Sequence, residues 1–153
     1  MFRIFLLFAG GLLLAAGTYA AEPGVKAELM GGTLEGVKAK SGARIDVTGS
    51  EYLIVYSGKS VVRISYERIN TLEYGQNVSR RYAAAILISP FLLLSKTRKH
   101  FLTLGYIDAE GKQQALVFRV PKGEIRVVLG SLEARTGRRV EFQDEEARKS
   151  GKG

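Results

Sequence analysis

The sequence contains no cysteine and no tryptophan, and its single histidine is His100. Without cysteine the chain cannot form disulfide scaffolds, thiolate nucleophiles, iron–sulfur clusters or zinc sites with thiolate ligands. No second histidine and no cysteine accompany His100 as metal ligands, and the scattered carboxylates show no pairing suited to acid–base chemistry. The composition therefore predicts no metal, no cofactor and no enzymatic activity, and we expect His100 to be solvated or to lie at the start of a strand.

Acidic residues are also in short supply. The 153 residues include 15 Asp and Glu against 23 Lys and Arg, which gives a formal net charge of +8. A positive field of this size favours anionic partners such as lipid head groups, nucleic acid or acidic glycans. The length suits one domain of ordinary size and is too short for two.

The first 20 residues are organised like a secretory signal peptide. Arg3 precedes an apolar run over residues 4–16, and Thr18 and Ala20 occupy the two positions that a signal peptidase reads. We expect cleavage after Ala20 and export to the periplasm or the extracellular space. The alternative is an uncleaved anchor, because residues 4–21 form a stretch of 18 residues without a charge, at the lower limit for a spanning helix.

A β-rich domain is predicted over residues 32–142, after an N-terminal linker at 21–31. Short runs of alternating apolar and polar residues are separated there by glycine-containing turns, as is typical of antiparallel strands. The predicted strands lie at 33–39, 44–48, 52–56, 61–66, 69–74, 101–107 and 114–120. The clearest hairpins join the third strand to the fourth and the sixth to the seventh.

One helix is predicted at residues 122–136. Its apolar residues recur at positions i, i+3, i+4 and i+7, and Gly137 follows where a left-handed residue commonly ends a helix. Beyond it, residues 143–153 combine acids, lysines and glycines with little to bury, so we expect a disordered tail.

The order of these elements resembles a small bacterial pleckstrin-homology-like (GRAM-like) domain. The resemblance rests on that order and on the segment Ile-Ser-Tyr-Glu-Arg-Ile-Asn-Thr-Leu-Glu-Tyr-Gly at residues 64–75. It implies an α+β, mainly β fold, in which a bent antiparallel sheet forms a partly open barrel capped by one C-terminal amphipathic helix. It implies no catalytic residues.

Residues 80–99, here called the basic-apolar-basic segment, depart from that resemblance. Residues 82–95 carry no charge and include Phe91 and Pro90, which disfavours a continuous helix. This apolar stretch is too short to span a bilayer but suits interfacial insertion between basic flanks. The predicted membrane-binding or ligand-binding residues are Arg80, Arg81, Phe91, Lys96, Arg98 and Lys99. Two alternatives are a core segment and a partner-binding or subunit interface.

Together these observations predict a non-enzymatic, exported binding module of the cell envelope. Its expected partner is anionic lipid or an envelope protein. Nucleic acid is not expected, because aromatic residues do not interleave with the basic ones and because export removes the chain from the cytoplasm. The alternative is a structural or homo-oligomerising domain whose residues 82–95 are core or subunit interface.

Overall fold

The computed structural model describes residues 23–35, 38–78, 82 and 99–152. In these ranges the protein is mainly β, with one sheet of eight strands and two C-terminal helices. The strands are β1 (Val25–Gly32), β2 (Ser41–Asp46), β3 (Tyr52–Ser57), β4 (Ser60–Ser65), β5 (Ile69–Gly75), β6 (Phe101–Ile107), β7 (Gln113–Arg119) and β8 (Glu141–Phe142). The helices are α1 (Lys122–Thr136) and α2 (Glu145–Lys152), and a 3-10 turn at Tyr66–Arg68 joins β4 to β5.

The strand order is β4-β3-β2-β1-β7-β6-β5-β8, and the sheet is not closed. All neighbouring strands are antiparallel except β5 and β8, which are parallel. The α+β, mainly β class predicted from the sequence is confirmed at this level. Because the first strand of the chain lies between β2 and β7, it links the N-terminal meander to the C-terminal one.

The apolar face predicted for β6 and β7 is confirmed, but both strands are buried on their other face as well, so the pair is not half-buried. Leu102 lies opposite Phe118 and Leu104 lies opposite Leu116, and all four side chains are buried in one core. The turn between these strands is held by Asp108, whose carboxylate accepts hydrogen bonds from the backbone N–H groups of Glu110 (3.1 Å) and Lys112 (2.7 Å). Short-range polar contacts of this kind are what Asp supplies in tight turns.

Helix α1 covers one face of the sheet, with the bounds predicted from the sequence. Four of its residues are buried in the main core: Ile125, Val128, Leu129 and Leu132. The helix ends at Gly137, which adopts a left-handed conformation (φ 68°) and donates its N–H to the carbonyl of Glu133 at 2.9 Å. The C-terminal signal in the sequence is therefore confirmed as well.

Two predictions about the start of the domain are wrong for the residues that the structure describes. The 21–31 linker contains most of β1, and residues 33–35 and 38–39, the described part of the predicted strand at 33–39, do not form a strand. A register shift between Leu29 and Gly31 brings three consecutive buried residues into β1, so the two-residue period of a strand is lost there. The domain therefore begins before residue 32.

The 143–153 tail contains α2, so the C-terminal end has two helices where one was expected. Asp144 caps α2, since its carboxylate accepts the N–H of Ala147 at 2.7 Å. Ala147 is fully buried, and Gly151 lies so close to Phe142 and Leu129 that a Cβ atom there would clash. These small residues let the short, charged helix pack closely against the core. Because α2 has no large apolar side chains, its sequence gives no signal of burial.

Candidate functional site

A cleft of about 480 Å³ opens at one end of the sheet, where β5 and β7 end and β6 and β1 begin. Six of its lining residues have basic or carboxylate side chains: Lys26, Glu28, Lys99, His100, Arg119 and Lys122. The remaining lining residues are Ala27, Tyr74, Val120 and Pro121. The cleft therefore combines apolar walls with a mainly cationic rim, and we refer to it as the basic cleft.

The charges in the basic cleft are unbalanced. Arg119 and Glu28 are directly opposite each other on β7 and β1, and they form an ion pair. Lys26, Lys99 and Lys122 make no ion pair with any residue in the described part of the chain. Lys26 and Lys122 are exposed and Lys99 is half-buried. Three lysine charges are thus left to attract an anion into the cleft.

His100 forms part of the wall of the basic cleft. The residue is 6% exposed, and its ring stacks on Tyr74 with centroids 5.5 Å apart. Its Nε2 atom is buried without a hydrogen-bond partner and lies 3.7 Å from the Asp144 carboxylate. Burial raises the pKa of the Tyr74 hydroxyl, and the Asp144 charge raises it further. Of the two expectations for His100, the position at the start of a strand is confirmed, since the residue directly precedes β6. Its side chain is buried and not solvated.

Asp144 fixes the position of α2 behind this wall. Besides capping α2, its carboxylate accepts the backbone N–H of Gln76 at 3.2 Å, just after β5. Burial on its own raises the pKa of Asp144, but the N–H donors of Ala147 and Gln76 and the neighbouring His100 bring that pKa below its ordinary value. An ionised Asp144 therefore joins α2 to the end of β5 and faces the imidazole of His100.

Helix α1 begins at the edge of the basic cleft. Its N-cap residue is Pro121, which provides no side-chain cap. The N–H groups of Glu124 and Ile125 donate to the Pro121 carbonyl at 2.9 and 3.1 Å, whereas those of Lys122 and Gly123 have no acceptor among the described residues. The positive end of the helix dipole therefore adds to the positive charge of the rim.

The structure places one of the six predicted binding residues. Lys99 lies on the rim of the basic cleft. Arg80, Arg81, Phe91, Lys96 and Arg98 lie outside the described residues, and a contact between them and a membrane stays a prediction.

Tyr82, the first residue of the predicted apolar stretch, is buried on the face of the sheet opposite α1. It belongs to a second apolar cluster formed by Met30, Tyr82, Phe101, Ala115 and Val117. The Tyr82 hydroxyl shares a buried hydrogen bond of 2.8 Å with Thr71, and it lies against Gly105, where there is no room for a Cβ atom. The start of the basic-apolar-basic segment is therefore attached to the sheet.

Sequence reasoning missed Lys26, Arg119 and Lys122. Lys26 and Arg119 come together only because β1 pairs with β7, and no local pattern indicates that pairing. Lys122 did carry a signal, since a cation in the first turn of a helix is unfavourable to the dipole by about 0.3–1 kcal/mol. A bound anion would offset that cost.

Neither a metal site nor a membrane-spanning helix is found in the described ranges. They contain no group of three or more His, Asp or Glu side chains arranged to hold a metal ion. No helix in the described ranges has the length and apolar character needed to cross a bilayer. Comparisons of the chain with protein-family models, curated proteins and solved structures find no match.

Proposed function

We propose that this chain is a non-enzymatic, exported module of the cell envelope that attaches to anionic membrane surfaces. The observation that carries the proposal is the position of Lys99, the last residue of the basic-apolar-basic segment, on the rim of the basic cleft. Lys26 and Lys122 extend the positive surface from that point. The charged end of the sheet and the segment predicted to contact lipid are thus continuous.

The size of the effect suits reversible attachment. Each lysine or arginine close to an anionic membrane surface contributes about 1 kcal/mol, so the three unpaired lysines together contribute about 3 kcal/mol. That attraction is screened as ionic strength rises. Apolar side chains from residues 82–95 would add binding energy that salt does not weaken.

We also propose that the fold belongs to the pleckstrin-homology-like class. An open antiparallel sheet with a C-terminal helix packed on one face supports this assignment. The β8 strand and α2 would be additions at the C-terminal end.

A structural or homo-oligomerising role is the second candidate, and the burial of Tyr82 favours it. If the residues that follow also pack on the outer face of the sheet, they are core or interface and do not reach lipid. The two candidates differ in their response to salt, since attachment through exposed lysines weakens at high ionic strength and an apolar interface does not.

Vesicle sedimentation tests the proposal. The unmodified protein should bind vesicles containing phosphatidylglycerol at low ionic strength, should not bind phosphatidylcholine vesicles, and should be released by salt. Changing Arg80, Arg81, Lys96, Arg98 and Lys99 to Glu should abolish binding. As a control, reversal of Lys59 and Lys112, which lie in exposed turns at the opposite end of the sheet, should leave binding in place.

Phe91→Asp separates insertion from surface attraction. An inserted Phe91 predicts weaker vesicle binding with unchanged thermal unfolding, because the new charge disfavours apolar burial only in the lipid. No vesicle binding by the unmodified protein, together with a large loss of thermal stability in Phe91→Asp, would decide for the structural candidate.

Export has its own test. Envelope fractionation followed by intact-mass measurement should recover a chain that begins at Ala21. Recovery of the 153-residue chain from membranes, without a shorter species, would instead identify residues 1–20 as an anchor.

A further inference from the structure

We infer that the basic cleft is a binding site for a phosphate monoester, carried by a small soluble molecule or by a lipid head group. The inference rests on the proposed function only for the lipid source, since the cleft would bind a soluble phosphate whether or not the protein attaches to membranes. The proposed ligands are the ammonium groups of Lys26, Lys99 and Lys122 and the free N–H groups at the start of α1.

The donors in the basic cleft match the charge of a phosphate monoester. Three unpaired lysines line one opening, and one of them, Lys122, is also the first residue of α1 and has a free N–H group. A phosphate monoester carries a charge of about −1.5 to −2 near pH 7 and offers three acceptor oxygens, whereas a carboxylate carries one charge on two oxygens. Helix N-termini with free N–H groups are recurrent phosphate sites because backbone donors and the dipole act together.

The basic cleft also explains an unfavourable arrangement at the start of α1. The helix lacks a side-chain cap, and its first residue, Lys122, places a positive charge at the positive end of the dipole. A bound phosphate would accept the free N–H groups and neutralise Lys122 at the same time. Both deficits are therefore corrected by the same ligand.

His100 forms part of the wall of the basic cleft, and its Nε2 atom faces the Asp144 carboxylate at 3.7 Å. The residue is 6% exposed and keeps its Nε2 atom without a hydrogen-bond partner in a buried position. Buried polar side chains are usually hydrogen-bonded, and the nearest charged partner of this ring is the Asp144 carboxylate. Its stacking partner Tyr74 provides an apolar surface beside the charged rim.

The volume indicates a ligand larger than phosphate itself. At about 480 Å³ the basic cleft falls within the range of about 300–1,000 Å³ that is typical of small-molecule sites. Ala27, Val120 and Pro121 supply apolar contacts beyond the charged rim. We therefore expect the phosphate to be attached to a small organic group, such as the glycerol of glycerol 3-phosphate or the glycerol backbone of phosphatidic acid.

The histidine ring makes the site directly testable by NMR. Because His100 is the only histidine, its ring resonances need no assignment. We expect these resonances to shift in a saturable way when inorganic phosphate or glycerol 3-phosphate is added. Each titration is done at constant pH and ionic strength, with chloride as the control anion. Glycerol 3-phosphate should bind more tightly, because it also contacts the apolar walls.

Variants of exposed residues identify the donors without disturbing the core. The double variant Lys26→Ala, Lys122→Ala should weaken phosphate binding about tenfold or more, whereas Lys59→Ala should change it less than about twofold. Pro121→Asp should also weaken binding at least about tenfold, because a carboxylate at the N-cap competes for the free N–H groups. Its thermal unfolding should stay unchanged or rise.

The outcomes separate this inference from the proposed function. A missing His100 shift, a shift that never saturates, or binding that the cleft variants leave unchanged would overturn the phosphate site. Saturable phosphate binding without vesicle binding would retain the site with a soluble ligand and reject membrane attachment. Phosphatidic acid is a phosphate monoester, whereas phosphatidylglycerol is a diester. If the protein binds phosphatidic acid vesicles more tightly, and the double variant Lys26→Ala, Lys122→Ala loses that preference, the lipid is the source of the phosphate.

Discussion

Replacing Leu129 by alanine tests whether α1 carries the main core. Leu129 is 2% exposed and belongs to the core between α1 and the sheet, while one of its methyl groups also lies close to Gly151 of α2. The residue therefore supports the docking of both helices. Val127, on the same helix, is 58% exposed and serves as the matched control.

The expected cost follows from the atoms removed. Leu129→Ala deletes three carbon atoms, and each buried methylene group contributes about 0.8 kcal/mol, which gives about 2.4 kcal/mol from transfer alone. The cavity left between two helices raises the loss, so the free energy of unfolding should fall by about 2–5 kcal/mol. Val127→Ala should change it by less than about 0.5 kcal/mol, because that side chain is mainly in water.

Urea unfolding followed by circular dichroism measures both variants. A lower midpoint with an unchanged slope would assign the effect to the folded state. If Leu129→Ala costs less than about 0.5 kcal/mol, or no more than Val127→Ala, α1 does not pack on the sheet as described.

Three further perturbations probe the ends of the domain. Gly151→Val should destabilise the protein by about 1–3 kcal/mol, because the added carbons meet the core residues against which α2 packs. Tyr82→Phe should cost about 0.5–1.5 kcal/mol by removing the buried hydrogen bond to Thr71, and a double-mutant cycle with Thr71→Val should be non-additive. Because the folded-state pKa of Asp144 lies below 3.8, its carboxylate stabilises the fold above that pH and loses this contribution as the pH falls through the folded-state value. Asp144→Asn should therefore reduce the acid dependence of stability while retaining the helix cap.

Each of these predictions has a result that contradicts it. Unchanged stability in Gly151→Val would mean that α2 does not dock as described. Additive effects of Tyr82→Phe and Thr71→Val would remove the proposed attachment of the basic-apolar-basic segment. An acid unfolding profile that is identical in Asp144→Asn would show that this carboxylate is not held by the hydrogen bonds at the start of α2.

The elements that the sequence reveals are those with a regular local period. Helix α1 was predictable to its last residue, because its apolar residues recur every three to four positions and Gly137 ends it. The β6–β7 hairpin was predictable because alternating residues face one core across a short turn. The missing cysteines and the single histidine likewise limit, by composition alone, the chemistry that the chain can perform.

The tertiary structure alone decided β1, α2 and the basic cleft. A bulge interrupts the two-residue period of β1. Helix α2 is held by a cap and by two small residues, which matter only because α2 packs closely against distant residues. The cleft is assembled by strand pairing, which brings Lys26 and Lys99 to the same sheet end as the start of α1. Local periodicity reports which face of an element is buried, but it does not report which distant element covers that face, and here that choice creates the candidate site.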